Sequence, residues 1–161
     1  MHCKGPWSRG EIDHFLAGTR IPVRLAVNGA SGHPILASLW FVHQGDTLWC
    51  ATQRSSSIVS ALTRDPRCAF EVAPEGLPYH GVRGQAHAAL HDARGEETLR
   101  LLIERYLGDA SSPLARWLSS RARSETAIAL EPRTLVSWDY RERMGSAAAV
   151  LTKGVPEGLP R

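Results

Sequence analysis

At 161 residues the chain suits one compact domain with a sizeable core and is short for two. Apolar residues at 43% and charged residues at 22% give an ordinary globular balance, and no apolar run approaches the ~18–20 residues that span a bilayer. The net charge of +3 is scattered: Arg116, Arg121, Arg123, Arg133, Arg141 and Arg143 enrich the C-terminal third without a basic stripe, which argues against nucleic acid and fits a mildly anionic small molecule.

The N-terminal stretch MHCKGPWSRGEIDHF has no apolar signal region, so the cytoplasm is the expected compartment. Ser8 and Glu11 have capping-box spacing, and Ile12, Phe15 and Leu16 follow at helical intervals up to Gly18. From Ile21 the period becomes two, with Val23, Leu25 and Val27 on one face. A turn at Asn28-Gly29 leads to ILASLWFVH, apolar on both faces and therefore expected to be covered on both. Gln44-Gly45-Asp46 reads as a hairpin turn into the strand TLWCAT. A helix over 55–63 stops at Asp65-Pro66, and RCAFEVA alternates as the next strand. A long strand runs from Tyr79 to about His91; Leu99, Leu102, Ile103, Tyr106 and Leu107 mark a helix over 94–107 that Gly108 ends. Ser112-Pro113 starts a second short helix. TAIALEP and TLVSWDY read as two final strands separated by Pro132, and residues 146–161 as a loosely attached tail after a domain of residues 1–145.

Strands joined by hairpins predict a mainly antiparallel sheet, and closure into a barrel removes its edges. Cys3, Cys50 and Cys68 are odd in number and widely spaced, so neither a disulfide framework nor a zinc cluster is indicated. There is no GxSxG, Walker loop or HExxH, which leaves triad hydrolysis, nucleoside triphosphate chemistry and zinc proteolysis without support.

The chemistry-bearing stretch is TQRSSSIVSALTRDPR, from Thr52 to Arg67. A strand ends in hydroxyls and a guanidinium just where a helix begins. Serine is favoured at an N-cap with or without a ligand, but the same N-terminus offers free N–H groups and a positive dipole end to an anion.

The segment PILASLWFVHQGDTLWCATQRSSSIVSALTRDPRCAFEV resembles the flavin-binding split-barrel proteins related to pyridoxamine 5'-phosphate oxidase. The matching positions are Trp40-Phe41, Gly45-Asp46, Thr52, Ser56 and Asp65-Pro66-Arg67, with Arg83-Gly84, ERYLG and SWDYRERM further on; together they extend over roughly residues 10–144. The resemblance implies a six-stranded antiparallel split β-barrel with peripheral helices that forms a homodimer, with flavin in a groove between subunits. It also implies an oxidoreductase using FMN, or alternatively F420, or else a non-catalytic flavin or haem carrier; its substrate is a small molecule that the sequence does not name. Pyridoxamine phosphate oxidation itself is not expected, because the substrate-phosphate motif of full oxidases is missing near the C-terminus.

The candidate cofactor-binding residues are Thr52, Arg54, Ser55, Ser56 and Ser57 around the phosphate, with Trp40 and Arg83. Trp40 fits a groove wall or a dimer core, and Arg83 a phosphate contact or a surface ion pair. No catalytic acid or base and no metal site is assigned. In one respect the chain departs from the pattern: a lysine commonly lies eight residues before the proline, and here that position is Ile58, leaving Arg54 as the replacement cation. His80, His87 and His91 read chiefly as solvated strand histidines, since His87 and His91 lie about 13 Å apart along a strand. His80 is the better placed of the three for a ligand.

Overall fold

The computed structural model describes residues 1–144, and the tail expected at 146–161 lies outside the described residues. The elements are β1 (His2–Lys4), α1 (Arg9–Gly18), β2 (Val23–Asn28), β3 (Pro34–Leu39), β4 (Phe41–Gln44), β5 (Thr47–Gln53), α2 (Ser57–Arg64), β6 (Arg67–Val72), β7 (His80–His91), α3 (Gly95–Leu107), α4 (Pro113–Ser120) and β8 (Glu125–Asp139).

The strands form one sheet in the order β3-β2-β6-β7-β8-β5-β4, with β1 added in parallel to β8. All other pairings are antiparallel. The first and last strands of that order, β3 and β4, are separated in the chain by Trp40 alone. One residue spans only about 3.5 Å, so the sheet must curl until its two ends meet, which is the split barrel. Counted through this junction, β3 and β4 are one bent strand, and the barrel has the six antiparallel strands expected.

Alternation does the rest. Val23, Leu25 and Val27, then Leu48 and Cys50, then Cys68, Phe70 and Val72 turn inward and bury with Phe41, Ile128 and Leu130. Outside the barrel, Leu99 and Ile103 of α3 pack with Ala115 of α4 against Ala51, so these two helices cover the outer side of β5. The Ser8–Glu11 capping box forms as the spacing predicts, and Gly108 closes α3 at φ 68°. Gly45 takes φ 59° in the two-residue β4–β5 loop, a backbone state that favours glycine.

Two expectations are corrected and one element is added. TAIALEP and TLVSWDY are a single strand, β8. Pro132 is accommodated at a bulge, where pairing slips between Gln85↔Thr134 and Ala86↔Pro132. The N-terminus, for which the sequence pattern predicts no element, supplies β1, and Trp7 fixes it: its backbone N–H donates to Ser137 Oγ (3.0 Å) and its indole N–H to Asp139 Oδ2 (3.0 Å). Finally, β3 is not covered on both faces, for Leu36 is 69% exposed.

Candidate functional site at the end of strand β5

The hydroxyl-rich stretch forms a tight turn at the end of β5. Ser56 N–H donates to the Gln53 carbonyl (2.9 Å) and Arg54 N–H to the Ser124 carbonyl (2.9 Å), tying the turn to the segment before β8. Ser56 is the N-cap of α2, its Oγ accepting from Val59 N–H at 3.3 Å. Ser55 and Ser57 are exposed on either side of it. The guanidinium of Arg54 donates to the Arg123 carbonyl, so in this arrangement it braces the turn. Ile58 is buried at 5% exposure in the barrel core, on the inner face of α2.

Beside the turn lies a cavity of ≈ 380 Å³ that Thr52, Gln53 and Trp40 line with α3 and α4. Its walls are apolar, from Leu99, Leu102, Leu114 and Leu118, and Trp117 lies on its α4 side. At its polar end the Gln53 amide is held from both sides. Its carbonyl oxygen accepts from Ser124 Oγ (2.6 Å), and its NH2 donates to the Glu125 carboxylate. Glu125 is 7% exposed; burial pushes its carboxyl above the ordinary glutamate value, while the Gln53 hydrogen bond and the Arg121 charge pull it back. Arg121 also lines the cavity, its guanidinium carbon 5.1 Å from the Trp117 ring centroid.

Trp40 stacks on Tyr106 of α3, and the Tyr106 hydroxyl accepts from Phe41 N–H (3.3 Å) and donates to the Ile21 carbonyl (3.4 Å). The ring thus reaches the cavity already anchored. Arg83 is elsewhere. It pairs with Glu71 and Val136 in register, on the outer sheet face, and lies 5.5 Å over the Trp138 ring. Gln53 pairs with Glu125 and Arg83 with Val136, so roughly 35 Å of β8 separates Arg83 from the turn within one chain. Gly84 owes its place to packing: a Cβ there would sit 2.8 Å from the Phe70 ring and 2.3 Å from the Thr134 carbonyl.

None of the strand histidines lines the cavity. His80 donates through Nδ1–H to the Pro78 carbonyl (2.9 Å), and its ring packs against Trp7 and Phe15. His87 faces Arg133, and His91 lies 5.4 Å from Trp49. Among the described residues no group of three or more His, Cys, Asp or Glu is placed to hold a metal.

The sequence reading missed Gln53, Trp117, Arg121 and Glu125 as site residues. Trp117 was legible as an apolar helix position and Arg121 as one of several arginines. Glu125 carried no local signal, because only the β5–β8 register sets it opposite Gln53.

Residues 9–139 match the family described as pyridoxamine 5'-phosphate oxidase, and the chain belongs to that family. No curated protein sequence matches it. Among solved structures, a conserved hypothetical protein from Mycobacterium tuberculosis superposes with a TM-score of 0.73 at 22% identity, covering 97% of this chain and 93% of that one. A structure titled F420 reductase has a TM-score of 0.60 at 20% identity, covering 74% and 92%. The haem-storage protein HutZ from Vibrio cholerae has 0.61 at 16%, covering 79% and 92%. At these identities the likeness concerns the fold, which all three share with this chain.

Proposed function

We propose that this protein is a flavin-dependent oxidoreductase that binds FMN, with F420 as the alternative, in a groove completed by a second copy of the chain, and that it works in the cytoplasm. The observation that carries the reading is the Ser56-capped start of α2 opening beside the cavity that Trp40, Thr52 and Gln53 line. Free N–H groups and the dipole end at a helix start suit a phosphate, and Ser55 and Ser57 add exposed hydroxyls. A cavity with an anchored aromatic ring and a polar end suits a flat heterocycle. When bound, the flavin supplies the redox chemistry. The chain's own part is to bind and orient: the turn holds the anion, Trp40 and the leucines exclude water, and the Gln53 amide keeps a fixed donor and acceptor at the polar end. A flavin is favoured over haem because no histidine among the described residues lines this cavity.

The second copy is seated on the outer sheet face. There Leu36, Ala26, Ala69, Gln85 and Thr134 align in register across five strands. The adjoining row carries Arg24, Glu71 and Arg83, alternating in sign. A central row with Ala26 and Ala69 in it, beside a row of alternating sign, suits a two-fold contact whose axis is offset so that arginine meets glutamate. A groove of ≈ 650 Å³ over these residues marks the surface left to fill.

The test is an absorption titration of the purified protein with FMN, F420 and haemin, followed by turnover assays with NADPH and with reduced F420. A flavin band that shifts on binding at low micromolar concentration, with turnover, is the expected result. Tight haemin binding with no flavin uptake would overturn the reading in favour of a carrier.

A further inference from the structure

We propose that the α4 side of the cavity is the substrate site and that its substrate is a flat aromatic ring bearing an anionic group. This rests on the flavin reading and names the class of molecule that the enzyme takes.

Trp117 is 55% exposed, beside Leu114 at 47%, an apolar edge left open on a short helix whose buried residue is Ala115. Its ring lies at the cavity beside Leu114 and Leu118, and Arg121 extends over it. Among the described residues the Arg121 guanidinium makes no hydrogen bond and no ion pair; its direct partner is the indole face. Arg54 differs, since the Arg123 carbonyl engages it. An unpaired planar fork resting on an exposed indole, at the edge of an apolar cavity, offers a ring platform and a bidentate anion contact side by side.

Among the described residues, Arg121 and Glu125 are the two charged side chains lining the cavity. Glu125 is turned to the Gln53 amide and lies beyond ion-pair distance of Arg121. Its carboxylate therefore leaves the guanidinium fork free and opposes a bound anion only through space. Removing that charge is expected to strengthen anion binding, which separates this proposal from one in which Arg121 serves only to balance Glu125.

The experiment measures binding of naphthoate, naphthamide and naphthylmethylammonium to the full chain by tryptophan fluorescence and calorimetry. Naphthoate should bind about tenfold more tightly than the amide, with the cation weakest, as expected for one charge-assisted contact. Arg121→Ala should erase that order, Arg121→Lys should keep it in weakened form, Trp117→Ala should weaken all three, and Glu125→Gln should tighten naphthoate. Equal binding of the three probes, or an order that survives Arg121→Ala, overturns the proposal. FMN titration of the same samples separates the two readings. If FMN binds and naphthoate does not, the substrate proposal falls and the flavin reading stands. If naphthoate binds through Arg121 and FMN does not, the flavin reading falls and the anionic-ring site stands.

Discussion

Trp40 and Tyr106 stack face to face, their ring centroids 4.8 Å apart and their planes 6° from parallel. The pair joins the barrel's closing residue to α3. Tyr106 adds two backbone contacts, and burial raises its phenol above the ordinary value, as suits a neutral hydroxyl that donates and accepts. Tyr106→Phe keeps the stack and should cost about 1 kcal/mol in chemical denaturation. Trp40→Ala and Tyr106→Ala should each cost more, and their double-mutant cycle should return a coupling of about 1 kcal/mol.

The serines divide by role. Ser56→Ala removes a cap and should lower stability by about 1 kcal/mol whatever the turn binds. Ser55→Ala and Ser57→Ala touch no cap, so their stability should hold within about 0.5 kcal/mol while FMN affinity falls. Unchanged FMN affinity in both variants would reduce the turn to a helix cap.

Ile58 stands in the barrel core, so a cation at this position meets apolar neighbours. Ile58→Ala should cost about 2–4 kcal/mol from the cavity it leaves. Ile58→Lys should destabilise at least as much unless the ammonium escapes along its own stem, and urea midpoints of the two variants measure the difference.

The pH dependence of stability has two parts of opposite sign. Hydrogen bonds from Arg67 hold the Asp65 carboxyl, and those from Arg141 the Asp139 carboxyl, well below the ordinary range, so their contribution is present above about pH 4 and lost on acidification. Glu125 acts in the other direction. Its raised folded value means that the native state binds the proton more tightly, so stability declines as pH rises from the unfolded glutamate value, about 4.5, through the folded value. Glu125→Gln should flatten that decline and leave the acid limb in place, which thermal melts across pH 3–8 would show.

The outer sheet face should govern assembly. Ala69 is exposed, so Ala69→Arg should change monomer stability by less than about 0.5 kcal/mol. It should nonetheless convert a dimer to a monomer in light scattering. A variant that stays dimeric would move the interface to another face.

Much of the local structure was legible in the chain. The Ser8–Glu11 capping box, the Ser56 and Ser112 caps, and the glycines at 45 and 108 encode ends of elements through contacts a few residues apart. Period-two alternation likewise marked which residues of β2 and β6 face the core. The turn at Arg54–Ser57 was legible as a possible anion site for the same reason: serine and arginine at a helix start have a local physical meaning. Pairing across the sheet is another matter. The passage of β8 through Pro132, the parallel addition of β1, and the meeting of Gln53 with Glu125 depend on register between residues about 45 to 130 positions apart, which no local pattern specifies. Closure placed Trp40 on Tyr106 and α4 over β5, and thereby made the cavity. It also set Arg83, which the sequence left between a phosphate contact and a surface ion pair, beside Glu71 on the outer sheet face, apart from the turn of its own chain. The sequence determined the elements and the chemistry each carries; the curl of the sheet decided which of them meet, because that choice is made by burial summed over the whole barrel.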